Sequence, residues 1–312
     1  MNAIVGYTGF VGSNLYTPER FQAAYNTKNI ETAYGTRPDL LVYSGVRAEK
    51  FLANSDQKKD LENIEQAKKN IQNIHPKKLV LISTIDVFRT PVNVDETTPI
   101  ETEGLHPYGA NRYLLEQWVR NNYPDALIVR LPALFGKNLK KNFIYDYIHV
   151  IPSMLRTEKY TELVQKEPKL KNYYKDQGNG FRKAIIPNEE QDEVKKLFKN
   201  LGFSALNFTD SRSTFQFYNL ARLWDDIHTA LNNNLQLLHP ATEPIKAGDL
   251  YRFLTQKEFK NELPGNPAEY DYRTIHSSLF GKENGYLSTK DEVMQEIREF
   301  VNRSIQTGAS EA

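Results

Sequence analysis

Two groups of residues carry a spacing that chemistry can use. Gly6-Tyr7-Thr8-Gly9-Phe10-Val11-Gly12 sets three glycines three apart, directly after the first apolar run, Ile4-Val5. In a dinucleotide site one glycine permits the tight turn, one lets the backbone approach a pyrophosphate, and one allows close helix–strand contact. The helix that follows offers unpaired N–H groups to the phosphates. Tyr108 and Arg112 form the second group. Four residues apart, they share one face of a helix. A phenol can be both acid and base for a transferred proton, and a nearby cation favours the phenolate.

These residues need elements to hold them, and the apolar pattern supplies candidates. Short apolar strands are expected at Ile4–Val5, Phe21–Tyr25, Leu40–Ser44, Leu79–Ile82 and Ala126–Leu131. The run Leu79-Val80-Leu81-Ile82 does not alternate, as a strand buried on both faces of a parallel sheet demands. Helices are expected at about 12–19, at 56–74, where Leu61, Ile64, Ala67, Ile71 and Ile74 recur at three- and four-residue spacing, and at 108–121. Pro76 ends the second of these. Strands alternating with helices predict an α/β fold, a Rossmann-type doubly wound parallel sheet. Near Phe143 the character changes: 151–210 is polar, rich in Lys, Glu and Tyr, and helical in places. The expected division is therefore a nucleotide-binding domain at 1–142 and a smaller, mostly helical C-terminal substrate subdomain at 143–312. Within the latter, a strand at 215–220 and an amphipathic helix to about 231 are expected to pack back against the sheet. A last helix is expected at 289–302, with a frayed tail at 307–312.

Composition narrows the function classes. The 40 basic and 39 acidic residues leave a net charge of +1, which argues against a nucleic-acid binder, and no RNA-specific motif appears. With no cysteine, disulfides, thiolate nucleophiles and cysteine-ligated zinc are excluded. Six scattered histidines include no HExxH, so no metal is expected. No apolar run approaches the roughly 18 residues of a membrane helix, and Met1 leads straight into a strand rather than a signal peptide. The expectation is a cytoplasmic protein with no membrane partner.

Three segments together resemble the extended short-chain dehydrogenase/reductase superfamily, the NAD-dependent epimerase/dehydratase type. The first is the glycine turn. The second is Ile82-Ser83-Thr84-Ile85-Asp86-Val87-Phe88, followed by Tyr108-Gly109-Ala110-Asn111-Arg112, which is similar to the family's YxxxK with Arg112 in place of Lys. The third is Val129-Arg130-Leu131-Pro132-Ala133-Leu134-Phe135-Gly136. The resemblance covers about residues 1–140 and returns weakly at 215–302. It implies catalytic roles for Thr84, Tyr108 and Arg112, and binding of NAD or NADP by Gly6, Thr8, Gly9, Phe10, Val11, Gly12, Ser44, Gly45, Tyr108, Arg112 and Leu131. It also implies a nucleotide-linked sugar as substrate and a homodimer built on the helices at 56–74 and 108–121.

The chemistry fits the residue types. Hydride moves between nicotinamide and a sugar carbon while Tyr108 moves a proton on the adjoining oxygen and Thr84 holds that oxygen. The ribose-binding acid usual at the end of the second strand is absent. Asn26 there can bond a hydroxyl, and Lys28 either attracts a 2′-phosphate, favouring NADP, or is a solvated loop lysine. On the substrate side, Arg47, Asp86, Ala133, Lys137, Asn142 and Arg212 are the candidates. Lys137, Lys140 and Lys141 form a cationic stretch that either meets a nucleoside diphosphate or is a solvated loop. Asp86, two residues past Thr84, points the same way if the segment is extended. Thr84-Ile85-Asp86 lacks the middle acid of the dehydratases, which argues against a dehydratase, and the Thr-x-x-Val-Phe ending through Phe88 is closer to sugar-nucleotide reductases, so the resemblance implies keto-sugar reduction ahead of epimerisation. A planar guanidinium is not a compact ammonium, so an inactive nucleotide-binding relative with a regulatory or scaffold role is the alternative.

Overall fold

The computed structural model describes Met1–Ser310, with side chains through Gln306. The chain forms two compact units, and each is discontinuous in sequence. The first comprises 1–139, 214–245 and 269–293; the second comprises 140–213, 246–268 and 294–312. The division falls at 139/140 instead of 142/143, and the first unit takes back two later stretches. The first of these, 214–245, contains the 215–231 segment expected to pack back against the sheet; the second is 269–293.

The first unit contains β1 (Asn2–Val5), α1 (Phe10–Leu15), β2 (Ala23–Tyr25) and β3 (Leu40–Tyr43). It continues with α2 (Lys50–Ser55), α3 (Gln57–Ile74), β4 (Lys78–Thr84), α4 (Pro107–Asn122), β5 (Leu127–Leu131) and β6 (Ala133–Phe135). The second unit supplies α5 (Phe143–His149), β7 (Met154–Arg156), α6 (Thr157–Lys166), β8 (Tyr174–Asp176), β9 (Phe181–Ala184) and α7 (Gln191–Asn200). The chain then returns to the first unit with β10 (Thr214–Phe215), β11 (Phe217–Asn219), α8 (Leu223–Asn232) and β12 (Leu237–Leu238).

Six parallel strands in the order β12-β5-β4-β3-β1-β2 make the central sheet, which is doubly wound. Successive residues of a strand face opposite sides, and both sides here are apolar. Ala3, Val5, Leu41, Leu79 and Leu81 meet Ile64, Ala67, Ile71 and Ile74 of α3 and Leu115 and Val119 of α4. Ile4, Val42, Val80 and Val129 meet Leu15 of α1 and Leu223, Ile227 and Ala230 of α8. That is why the strands read as apolar runs without alternation.

Several boundaries follow from local chemistry. Asp56 caps α3 by accepting from the Lys59 N–H, and His75 closes it in the left-handed conformation. Pro107 opens α4, and His106 accepts from the Gly109 N–H at its start. The first helix begins at Phe10 and ends at Leu15, rather than running from 12 to 19. Gly9 starts it, and Pro18 bars helical backbone at Thr17. The strand expected at 215–220 is broken at Gln216, whose buried amide donates to the carbonyls of Thr242 and Tyr272 and accepts from the Tyr272 N–H. In the second unit the expected helices are joined by an antiparallel sheet, β7-β9-β8, over a core of Leu155, Leu163, Leu170, Val194 and Phe198. The last helix runs Lys290–Ser310, beyond the expected end at 302. The tail expected to fray lies in part, at 311–312, outside the described residues.

Candidate active site

The glycine turn leaves β1 at the point where the sheet order reverses, with β2 on one side and β3 on the other. Ligands of open α/β sheets bind at such a switch point, beyond the carboxyl ends of the strands. The three glycines are not equivalent. Gly6 has φ +90°, and a Cβ there would lie 2.5 Å from the Ser44 carbonyl oxygen. At Gly12 a Cβ would lie 2.1 Å from the Gly6 carbonyl oxygen. Both are required by the turn itself. Gly9 has ordinary φ and would bring a Cβ no closer than 3.2 Å to Gly6. It caps α1 without any side-chain acceptor, and the first amides of a helix lack an intrahelical acceptor, which favours an anion there. Thr8 is exposed in the same turn. These features fit a dinucleotide pyrophosphate.

Neighbouring candidates join this turn. Ser44, at the end of β3, donates through Oγ to the Val5 carbonyl at 2.8 Å, and Gly45 follows it with Val5 Cγ1 2.9 Å from where its Cβ would be. Asn26 and Lys28 lie at the end of β2. The Asn26 Oδ1 accepts from the Lys28 N–H at 2.8 Å, folding the loop back on itself, and the Lys28 side chain is exposed.

The candidate catalytic residues lie where β4 ends. Thr84 pairs with Leu131 of β5 as the last residue of its strand. Its hydroxyl accepts from the Asp86 N–H at 3.2 Å and acts on the Tyr108 phenol, favouring its charged form. Tyr108 is buried in the first turn of α4, its N–H donating to Asn54 Oδ1 at 3.0 Å. Gly109 makes this approach possible, since a Cβ there would meet the Asp86 carbonyl oxygen at 2.1 Å. Residues 85–87 are a turn of 3-10 helix and not extended, so the alternation expected to align Asp86 with Thr84 does not apply. Asp86 instead pairs with Lys50 of α2 at 3.1 Å and accepts from the Tyr270 hydroxyl at 3.0 Å.

Burial raises the Tyr108 phenol above its ordinary value; Arg112 and the Thr84 hydroxyl oppose this, while Asp86 and Asp60 add to it. The expectation that a neighbouring cation lowers the phenol holds for the effect of Arg112 itself, while the net shift is upward. The cause of the net rise is burial, which outweighs the lowering by Arg112. Its guanidinium stacks 3.9 Å from the centre of the Tyr108 ring. It also pairs with Asp60 of α3, and donates to the carbonyls of Arg47 and Tyr108. Both charges of the pair are buried, and Asn111 donates to the same carboxylate at 2.8 Å. Arg112 therefore reaches Tyr108 as a compensated cation.

The substrate-side candidates divide between the units. Arg47 contributes its carbonyl to Arg112, and its side chain is exposed. Ala133 lies in β6, paired with Phe217, and Lys137 follows it with an exposed side chain. Asn142 and Arg212 belong to the second unit and have partners there. Asn142 caps α5, accepting from the N–H groups of Ile144 and Tyr145. Arg212 is held by Asp210 at 2.7 Å and Glu262 at 3.2 Å. The sequence reading missed Asp60, Asn54, Lys50 and Tyr270. Of these only Asp60 left a signal, an acid four residues before Ile64 on the apolar stripe of α3.

No family model and no curated protein matches this sequence. Solved structures do match it over nearly its full length. The dTDP-4-dehydrorhamnose reductase of Yersinia enterocolitica superposes with a TM-score of 0.62 at 14% identity, over 97% of this chain and 99% of that one. The corresponding enzyme of Bacillus anthracis, in complex with NADP, gives 0.61 at 16%, over 97% and 98%. The UDP-N-acetylglucosamine 4-epimerase of Methanobrevibacter ruminantium, in complex with UDP-N-acetylmuramic acid, gives 0.59 at 11%, over 98% of each chain. The chain has the fold of these reductases and epimerases.

Proposed function

We propose that this protein is an NAD(P)-dependent enzyme of the extended short-chain dehydrogenase/reductase superfamily. It reduces a keto-sugar, or epimerises a sugar, carried on a nucleoside diphosphate. The observation that carries the reading is the Thr84–Tyr108 hydroxyl pair at the carboxyl end of β4, in the sheet whose switch point holds the glycine turn. The fold shared with reductases and epimerases of nucleotide sugars supports it.

When bound, the dinucleotide supplies or accepts the hydride. Glycine-turn amides and the α1 N-terminus hold its pyrophosphate. Thr84 donates to or accepts from the sugar oxygen and keeps it beside Tyr108. The Tyr108 hydroxyl gives that oxygen its proton in reduction, or removes it in oxidation. Burial keeps the phenol protonated at neutral pH, which suits the reductive direction. Arg112 limits the rise by stacking on the ring. Lys28 at the end of β2 favours NADP, and Lys137 faces the diphosphate of the substrate. The working form is a homodimer in the cytoplasm, packed through α3 and α4.

One observation favours the second reading, a catalytically weak nucleotide binder. The Arg112 guanidinium is tied to Asp60 and to the Arg47 carbonyl, leaving less of it for a cofactor ribose. A thermal-shift screen of NADPH, NADH, dTDP-sugars and UDP-sugars, followed by cofactor oxidation with a keto-sugar nucleotide, separates the two. Turnover establishes the enzyme; stabilisation by cofactor without turnover on any keto-sugar supports the weak binder. Gly9→Val is the clean test of the cofactor site, because Gly9 alone among the three glycines is not demanded by the turn. It should abolish cofactor stabilisation in a folded protein, and unchanged affinity would refute the site.

A further inference from the structure

The loop that follows β6 is fastened to α1, and one side chain does most of the fastening. Asn14 Nδ2 donates to the Lys137 carbonyl at 2.8 Å, and the Lys137 N–H donates back to Asn14 Oδ1 at 3.0 Å. The same Nδ2 donates to the Phe10 carbonyl at 2.8 Å, within the first turn of the helix. Asn138 Nδ2 adds a bond to Ser13 Oγ at 3.1 Å. Gly136, at φ +154°, leaves the room: a Cβ there would lie 2.7 Å from Asn14 Oδ1. Asn138, with φ +66°, and the Leu139 N–H donated to the Gly136 carbonyl complete a tight turn. Asn14 thus presents its amide to the Lys137 peptide as a paired strand would, using both donor and acceptor.

The segments joined in this way have separate tasks in the proposed reaction. One is the helix whose N-terminus receives the cofactor pyrophosphate. The other carries Lys137, the cation assigned to the nucleotide sugar. Among the described residues, the hydrogen bonds that link 136–138 to α1 are those of Ser13 and Asn14. A residue that fixes both segments to each other couples them, because order imposed on one is transmitted through the shared amide.

We propose that Asn14 is a positioning residue that couples the cofactor turn to the substrate-side loop, so that cofactor binding orders the Lys137 backbone for the second ligand. The proposal rests on the reading of the glycine turn as a cofactor site. It assigns Asn14 no contact with either ligand.

Amide hydrogen exchange on the full chain tests it, with NADPH and NADH as the probes. In the wild type, saturating cofactor should slow exchange at residues 9–13 and also at the Lys137 amide, the latter by about fivefold or more, the lower end of ordinary coupling. In Asn14→Ala the protection of 9–13 should remain while the cofactor effect at Lys137 falls to about onefold. Asn14→Asp keeps the acceptor and the size but loses both donor bonds, so its effect at Lys137 should fall between the two. Cofactor protection of Lys137 that is equal in Asn14→Ala and wild type overturns the proposal. So does a wild type protected at 9–13 but not at Lys137. If neither cofactor protects 9–13, the cofactor reading itself fails and the coupling falls with it, an outcome visible as a different pattern.

Discussion

Two buried arginine–carboxylate pairs hold α4 in place, and they differ in what surrounds them. Arg130 of β5 grips Glu116 through three bonds of 2.6–3.1 Å, Ser83 donates to the same carboxylate at 2.5 Å, and His239 Nε2 accepts from the guanidinium at 3.3 Å. Every partner of that pair is a side chain of the core. Arg112, about one turn earlier in the helix, has one carboxylate, two backbone carbonyls and the face of Tyr108. A buried pair is costly to break because the remaining partner is left uncompensated. The first pair can report only on stability. The second touches Tyr108, the residue proposed to transfer the proton, so on that reading it reports on stability and chemistry together.

The largest effect is expected at Glu116. Glu116→Ala strands the Arg130 charge beside a buried imidazole and should cost about 3–5 kcal/mol of stability. The loss would be read from urea denaturation, with the activity of the remaining folded protein little changed. Arg112→Met should cost less, about 2–3 kcal/mol, since Asp60 keeps its bond from Asn111. It should also do what the Glu116 variant does not. Removing the group that opposes the rise in the Tyr108 phenol keeps the acid protonated to higher pH, so the pH at which reductive activity falls moves upward. An unchanged rate and pH profile would make Arg112 purely structural and erase the contrast.

His239 sharpens the comparison through pH. Burial, and then Arg130, push its imidazole down to about 3 from an ordinary 6.5. A depressed value means the stabilisation is complete above 6.5 and is lost as pH falls through the interval toward 3. Between pH 6.5 and 4.5 the wild type should therefore lose about 2 kcal/mol more than His239→Gln, measured as the difference in denaturation midpoints at the two pH values. Equal acid sensitivity would mean that the imidazole is not held neutral. The smallest effect is Arg112→Lys, which keeps the charge and should retain or modestly raise activity.

What the sequence could show depended on whether a property repeats along the chain. The sheet and α3 and α4 were legible because apolar residues recur at fixed spacing, and the glycine turn because its glycines follow the first strand. Asp60 was hidden for the opposite reason: a lone acid within a helix reads as solvated until its partner, 52 residues away, is placed beside it. Asp86 was misjudged because nothing in Ile85-Asp86-Val87 announces a 3-10 turn; Thr84 imposes it by accepting the Asp86 N–H. The β7-β9-β8 sheet was missed since its strands are three or four residues long and half polar, too short for a periodic signal. The glycines themselves looked alike, and only the distances separate Gly6 and Gly12, which the turn needs, from Gly9.

The central claim is that the Thr84–Tyr108 pair moves a proton for a bound dinucleotide, and Tyr108→Phe tests it most directly. The ring, its packing and its stack on Arg112 are retained, and only the hydroxyl is lost. With a keto-sugar nucleotide that the wild type turns over, the account predicts a fall in cofactor oxidation of roughly 10²-fold or more, with cofactor affinity near that of wild type. A variant that keeps more than about a tenth of the rate contradicts a general acid–base role of that size.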